Sequence, residues 1–368
     1  MKKAALALSI LAASTSAAWA QSSVTIYGIV DAAVRLSTNA GATAATNGES
    51  ITSVVPGGMS QSRLGFNITE DMGGGLKAIA NMEHRFNSDT GAASAADFWR
   101  QSWVGLQSSE WGRVTIGRQY NVLFDAYTPT YSSFRYSPYI EAFKPEVGFS
   151  LGARNDNMVK YLIEVGGFRA EAQVSAGEGN ATTVGANGKS MGGLLRYATG
   201  EFAAAGAYLQ LEDTAGKNVK GWTVGGSWSS GPWYVNASWG RNEFETGFNP
   251  TLNITLLGSI AGALTTKTPV ATGGAGDERD IYMAGFTYQM TPQWNLGLEY
   301  WHTKQDGLGA STAADGKTDS LAFVADYAFS KRTDAYLEID GTKVGGNLMF
   351  ANGASKRQNY MIGLRHRF

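Results

Sequence analysis

Residues 333–341 read Thr333-Asp334-Ala335-Tyr336-Leu337-Glu338-Ile339-Asp340-Gly341, and this stretch decides the fold. Successive side chains of a strand point to opposite faces. Ala335, Leu337 and Ile339 therefore share one face, while Asp334, Tyr336, Glu338 and Asp340 share the other. Carboxylates at this density are too many to bury dry. A soluble barrel turns its apolar face inward and its charges outward. The reverse arrangement, charges around water and apolar groups against lipid, is that of a membrane-spanning barrel.

Neighbouring stretches repeat the pattern. At 293–304, Trp294, Leu296, Leu298 and Tyr300 alternate with Asn295, Glu299 and Thr303. At 317–329, Leu321, Phe323, Ala325, Tyr327 and Phe329 oppose Asp326. At the C-terminus, Tyr360, Ile362, Leu364, His366 and Phe368 oppose Arg365 and Arg367. Tyr288, Trp294, Phe329 and Phe368 fall near strand ends, where aromatic side chains suit the membrane interfaces.

Extended over the chain, the alternation predicts sixteen strands: 24–36, 59–69, 76–86, 97–107, 112–120, 154–163, 168–176, 190–199, 202–213, 220–229, 232–244, 279–289, 293–304, 317–329, 333–341 and 357–368. Short connections such as Gly200-Glu201 and Ser230-Gly231 alternate with long ones, including 37–58, 121–153 and 245–278. Short turns on one rim and long loops on the other specify an all-β fold, a 16-stranded antiparallel transmembrane β-barrel. The composition agrees: 47 glycines, 42 aromatic residues and 8 prolines in 368 residues fit many short strands and turns. The absence of cysteine excludes disulfides and thiolate metal sites. A net charge of −1 excludes a nucleic-acid binder acting through bulk positive charge.

The first twenty residues differ from the rest. Met1-Lys2-Lys3 is a cationic start, Ala4 to Leu11 is apolar, and Ala18-Trp19-Ala20 is a small-residue cleavage pattern. The apolar run is too short to span a bilayer, which takes about 20 residues. Residues 1–20 are therefore expected to be a signal peptide, and 21–368 one barrel domain. Removal of Lys2 and Lys3 takes the charge to −3.

Several segments resemble those of general Gram-negative porins, particularly the betaproteobacterial branch. They are Ser23-Val24-Thr25-Ile26-Tyr27-Gly28-Ile29-Val30-Asp31, Ser62-Arg63-Leu64-Gly65-Phe66, residues 69–78, Trp103-Val104-Gly105-Leu106, residues 114–120, residues 330–334 and the terminal Gly363-Leu364-Arg365-His366-Arg367-Phe368. They run in the family's order from first strand to last residue. The resemblance implies short periplasmic turns, long external loops, an outer-membrane location and a homotrimer with one pore per chain. It also implies a third loop folded into the lumen and a terminal Phe368 read by the barrel-assembly machinery. Outer-membrane lipid and lipopolysaccharide are the implied surroundings, and small hydrophilic solutes and ions the cargo.

The third loop, 121–153, is long for a structureless connection and too aromatic to stay freely solvated. Its acids are Asp125, Glu141 and Glu146. Opposite such a loop the family places a basic ladder. Arg63 and Arg85 carry the inward parity of their strands, with Lys77 and Glu83 beside Arg85. Arg100 and Arg118 match the ladder but fall by alternation on the apolar face, with Val104 and Ile116. An arginine facing lipid at the midplane costs about 2–4 kcal/mol, so a β-bulge that reverses the facing is expected at both. Arg135 and Arg154 complete the candidate wall.

Six arginines against three loop acids lean towards weak anion preference in a passive channel. A substrate-specific channel and a barrel whose external loops act in adhesion are the alternatives. His84, His302 and His366 share apolar parity and read as interfacial residues. Gly188-Lys189-Ser190 lacks the glycine that a phosphate-binding loop needs at position 183. The sequence thus indicates no enzyme, no cofactor and no metal site.

Overall fold

The computed structural model describes residues 22–46, 48–95, 97–131, 145–177, 189–248, 264–267, 277–307 and 315–368. The expected export segment 1–20, and Arg135 and Glu141 of the third loop, lie outside the described residues. The strands are β1 (Ser23–Ser37), β2 (Ile51–Val55), β3 (Arg63–Gly73), β4 (Leu76–Arg85), β5 (Trp99–Ser108), β6 (Gly112–Tyr120), β7 (Arg154–Val165), β8 (Phe168–Ser175), β9 (Ser190–Thr199), β10 (Phe202–Glu212), β11 (Asn218–Ser230), β12 (Trp233–Phe244), β13 (Leu264–Thr266), β14 (Glu278–Gln289), β15 (Trp294–Asp306), β16 (Gly316–Ala328), β17 (Thr333–Gly346), β18 (Leu348–Phe350) and β19 (Lys356–Arg367). Among the described residues of the third loop, Val122–Thr130 form helix α1 and Pro145–Phe149 helix α2.

Sixteen strands pair antiparallel with their neighbours and close where β1 meets β19, from Ile29 opposite Arg367 to Ser37 opposite Asn359. Closure removes the unpaired edges that lipid could not satisfy. At the seam the backbones of Gly28 and Phe368 exchange two hydrogen bonds of 3.1 Å. The Phe368 ring occupies the space that a Cβ on Gly28 would need, 2.3 Å from its position. On the short-turn rim, Gly200 and Gly231 take φ of +53°, which side chains resist.

The facing follows the sequence pattern. Leu337 and Ile339 are exposed on the outer surface, while Asp334, Tyr336, Glu338 and Asp340 are buried on the inner one. Val34, Val104, Ile116, Leu195, Phe202 and Ile362 extend the outer apolar belt around the barrel. The inner acids of β17 are less open to water than their number predicts. Asp334 pairs with Arg365 at 2.9 Å and with Arg367, and Asp340 accepts from Asn359 at 2.6 Å.

The first long connection also differs from the expected plain loop over 37–58 followed by a strand from 59. Its residues 51–55 form β2, which extends the sheet along the upper half of β1. Residues 59–62 are not strand; they lie buried inside the barrel, and β3 starts at Arg63. Gly57, at φ +94°, permits that departure from the sheet.

Candidate functional site

Helix α1 opens at Asn121, whose side chain accepts from the Phe124 backbone at 3.0 Å and caps the N-terminus. The Asn121 amide also donates to the Ser150 carbonyl at 2.8 Å, tying together the two ends of the loop. Val122, Leu123, Ala126 and Tyr127 pack with the inward-facing Leu194, Leu209 and Val219. Glycines on the wall make room for them. A Cβ on Gly240 would come within 2.3 Å of the Tyr127 hydroxyl, and one on Gly221 within 2.9 Å of Leu123.

Beyond α1 the loop reaches the far wall. The Trp301 indole of β15 donates to Glu146 of α2 at 2.8 Å, and Arg279 of β14 donates to the Gly148 carbonyl at 2.8 Å. In the closed order of strands, β15 stands eight places from β6, half the circumference. The described parts of the third loop therefore lie inside the barrel, α1 against the wall at β9 to β11 and α2 against β14 and β15.

The arginines of β3 to β7 form one charged cluster opposite. Arg63 lies 4.0 Å from Glu83, and Arg100 lies 3.3 Å from the same carboxylate. Arg100 also donates to the Tyr120 hydroxyl, and the Arg154 guanidinium sits 5.2 Å over the Tyr120 ring. Higher on the wall, Asp97 is shared by Arg85 at 2.6 Å and Arg118 at 2.9 Å, and Arg118 bonds Asp156 as well. Burial pushes the Asp97 carboxyl up, but Arg85 and Arg118 outweigh it and hold it below the ordinary carboxylate range.

Both arginines that conflicted with simple alternation sit at register shifts. Between Glu83 opposite Gln101 and His84 opposite Trp99, Arg100 is the extra residue of a bulge. It is 1% exposed and turned to Glu83 rather than to lipid. At Arg118 the extra residue is on β7, where Asp156 and Asn157 together face it, and Gly117 bends β6 with φ +130°. Arg118 thereby joins Arg85 on Asp97 and remains 17% exposed.

Among the described residues, five guanidinium groups and three carboxylates, those of Glu83, Asp97 and Asp156, make this cluster. The two described loop acids, Asp125 and Glu146, have partners elsewhere. Asp125 is engaged by Lys160, which itself lies 3.6 Å from Glu171. Burial pushes the Asp125 carboxyl up, but Lys160 overcomes that and holds it low. Glu146 is buried against Trp301. The sequence reading missed Asp97, Asp156 and Lys160 as partners. No local motif marks them, because each meets its partner across strands.

Residues 7–347 match the family model described as Gram-negative porin. Outer membrane porin protein 32 of Delftia acidovorans is 30% identical over 393 residues, spanning 100% of both chains. An outer membrane porin protein of Bordetella pertussis is 28% identical, covering 80% of this chain and 92% of its own. Among solved structures, an anion-selective porin from Comamonas acidovorans superposes with a TM-score of 0.68 at 23% identity, covering 95% of this chain and 100% of that one. OmpT of Vibrio cholerae in its trimer form does so with a TM-score of 0.63 at 16% identity, covering 94% and 99%. These two share the fold.

Proposed function

The chain belongs to the Gram-negative porin family, and on that premise we propose that its barrel is a general diffusion pore with weak anion preference. It is an outer-membrane β-barrel, and its relatives are channels. The observation that carries the selectivity is the gathering of Arg63, Arg85, Arg100, Arg118 and Arg154 on one stretch of wall, with Asp125 and Glu146 engaged elsewhere. Fixed charges lining a pore bias ion flow. At physiological salt the Debye length is about 8 Å, so the bias needs a narrow gap, and the inward-packed helices α1 and α2 support one.

The reading extends to partners. The trimer form of the Vibrio cholerae neighbour supports a homotrimer. Phe368, ordered against Gly28 at the seam, supports a terminal signal for the barrel-assembly machinery. Residues 1–20 remain the proposed signal peptide, with the mature barrel starting at Gln21.

Lipopolysaccharide contact is supported on the outward face. Lys304 stands directly opposite Lys317, and Lys343 directly opposite Lys356, all exposed beyond the apolar Leu321 and Ile339. Lys304 has Asp306 beside it at 2.8 Å, but like charges facing each other still destabilise a sheet, and phosphates of the outer leaflet would offset that. At the same rim of β11 to β14, Lys220 faces Glu243 and Arg241 faces Asp280, so the signs there are already matched.

Planar-bilayer recording under a KCl gradient tests the main reading. Large ohmic openings in steps of three, with a reversal potential on the anion side, are expected. Small currents that a solute blocks saturably would instead identify a specific channel.

A further inference from the structure

Between β2 and β3 the chain leaves the sheet. Val55 is paired with Ala33 and Arg63 with Ile29, so the seven residues 56–62 stand opposite only Val30, Asp31 and Ala32. The surplus turns into the barrel, where residues 57–62 are all buried and Met59 is fully so.

Asp31, central in that gap and itself without exposure, holds the excursion. One carboxylate oxygen accepts from the Ser60 backbone at 2.7 Å; the other accepts from the Tyr336 hydroxyl at 2.6 Å and the Gly58 backbone at 3.4 Å. The Asp31 backbone N–H donates to the Ser62 hydroxyl at 3.0 Å, and that hydroxyl donates to the Asp31 carbonyl at 3.1 Å. Arg365 donates to the Ser60 hydroxyl at 2.9 Å. Gly58 has no room for a side chain, since a Cβ would meet Met361 at 2.4 Å and Tyr336 at 2.6 Å. The far end of the segment touches the basic cluster. The Gln61 carbonyl accepts from Arg63 Nε at 2.9 Å, and Arg63 in turn faces Glu83.

We infer that Asp31 is a positioning residue for solute selection: it pins residues 56–62 as a buried, inward-folded filling that narrows the lumen and, through Gln61, fixes Arg63 in the ladder. Helices α1 and α2 fill the barrel on the side of β8 to β15, and this buried segment fills it along β1, β17 and β19. The inference rests on the reading of the arginine cluster as the selective element. A carboxylate is needed at position 31 because it accepts from Ser60 and Tyr336 at once, and an amide offers one acceptor oxygen.

The test compares the full-length wild type with Asp31→Ala, Asp31→Asn, Tyr336→Phe, Arg63→Gln and the Asp31→Ala/Arg63→Gln pair. Each is reconstituted and assayed by liposome swelling with sugars of increasing size and by reversal potential in a KCl gradient. Asp31→Ala is expected to raise swelling by the larger sugars by a factor of about two, as a widened passage would. Asp31→Asn should fall between it and wild type, and Arg63→Gln should shift the reversal potential less in the Asp31→Ala background than alone. Tyr336→Phe removes one of the contacts without emptying the site, and should move swelling the same way if Asp31→Ala fails to assemble. Wild-type swelling in Asp31→Ala or Tyr336→Phe, with Arg63→Gln still shifting the reversal potential by its full amount, overturns the inference alone. If Arg63→Gln shifts nothing in the wild type, the reading of the cluster falls and takes the inference with it.

Discussion

Arg100 and Glu83 lie 3.3 Å apart because one extra residue in β5 turns Arg100 out of strict alternation. The same carboxylate faces Arg63 at 4.0 Å and accepts from the Tyr27 hydroxyl at 3.1 Å. Glu83 is thus the negative centre that lets two arginines share one patch of wall. Glu83→Gln is expected to move the reversal potential further to the anion side. It should also cost about 3–5 kcal/mol, the penalty for breaking a buried ion pair from one side. Heat-dependent unfolding of the barrel measures the cost, and wild-type values for both quantities would remove Glu83 from this role.

Among the described residues the cluster sets five guanidinium groups against three carboxylates, and Arg63→Glu makes the two numbers equal. The reversal potential should move towards cations. An unchanged value would place Arg63 outside the ion path.

Acid should strengthen anion preference through Asp97. Its carboxyl is held low, so its charge persists through neutral and mildly acidic pH and is lost only as pH falls through that depressed value. The sign is that of a depressed acid: its pairing with Arg85 and Arg118 stabilises the wall above the unfolded value and is lost below the folded one. Reversal potentials measured against pH should be flat and then turn to the anion side at strongly acidic pH. In Asp97→Asn the turn should shrink and the neutral-pH value should already be shifted.

Gly240→Val tests the seat of the third loop. The added side chain would collide with the Tyr127 hydroxyl at a contact of 2.3 Å, so α1 must move. Overpacking of this kind costs about 1–3 kcal/mol. Single-channel conductance should change while the barrel still assembles. An unchanged conductance would show that α1 does not set the passage.

Lys317→Gln combined with Lys343→Gln removes one lysine from each facing pair. Lipopolysaccharide retained through detergent purification should fall, with Lys331→Gln on the opposite rim as the control. Equal retention in all three would separate the lysine pairs from lipid binding.

Much of the fold was legible because the barrel imposes a local rule. Alternation at Leu337, Glu338 and Ile339 already stated which side faces lipid, and the connection lengths stated which rim carries the loops. The facing of Arg63 and Arg85 followed from the same rule. Arg100 and Arg118 marked its limit: parity pointed them at lipid, and only the energetic cost argued otherwise.

The sequence by itself determined the barrel and its orientation of faces, because a period of two is written residue by residue and lipid enforces it. The tertiary structure alone decided where register breaks. It turned Arg100 onto Glu83, set Asp97 between Arg85 and Arg118, and folded residues 56–62 onto Asp31, Tyr336 and Arg365. Those pairings join residues up to 305 positions apart. Their partners are chosen by strand register and loop closure, which no local stretch of sequence encodes.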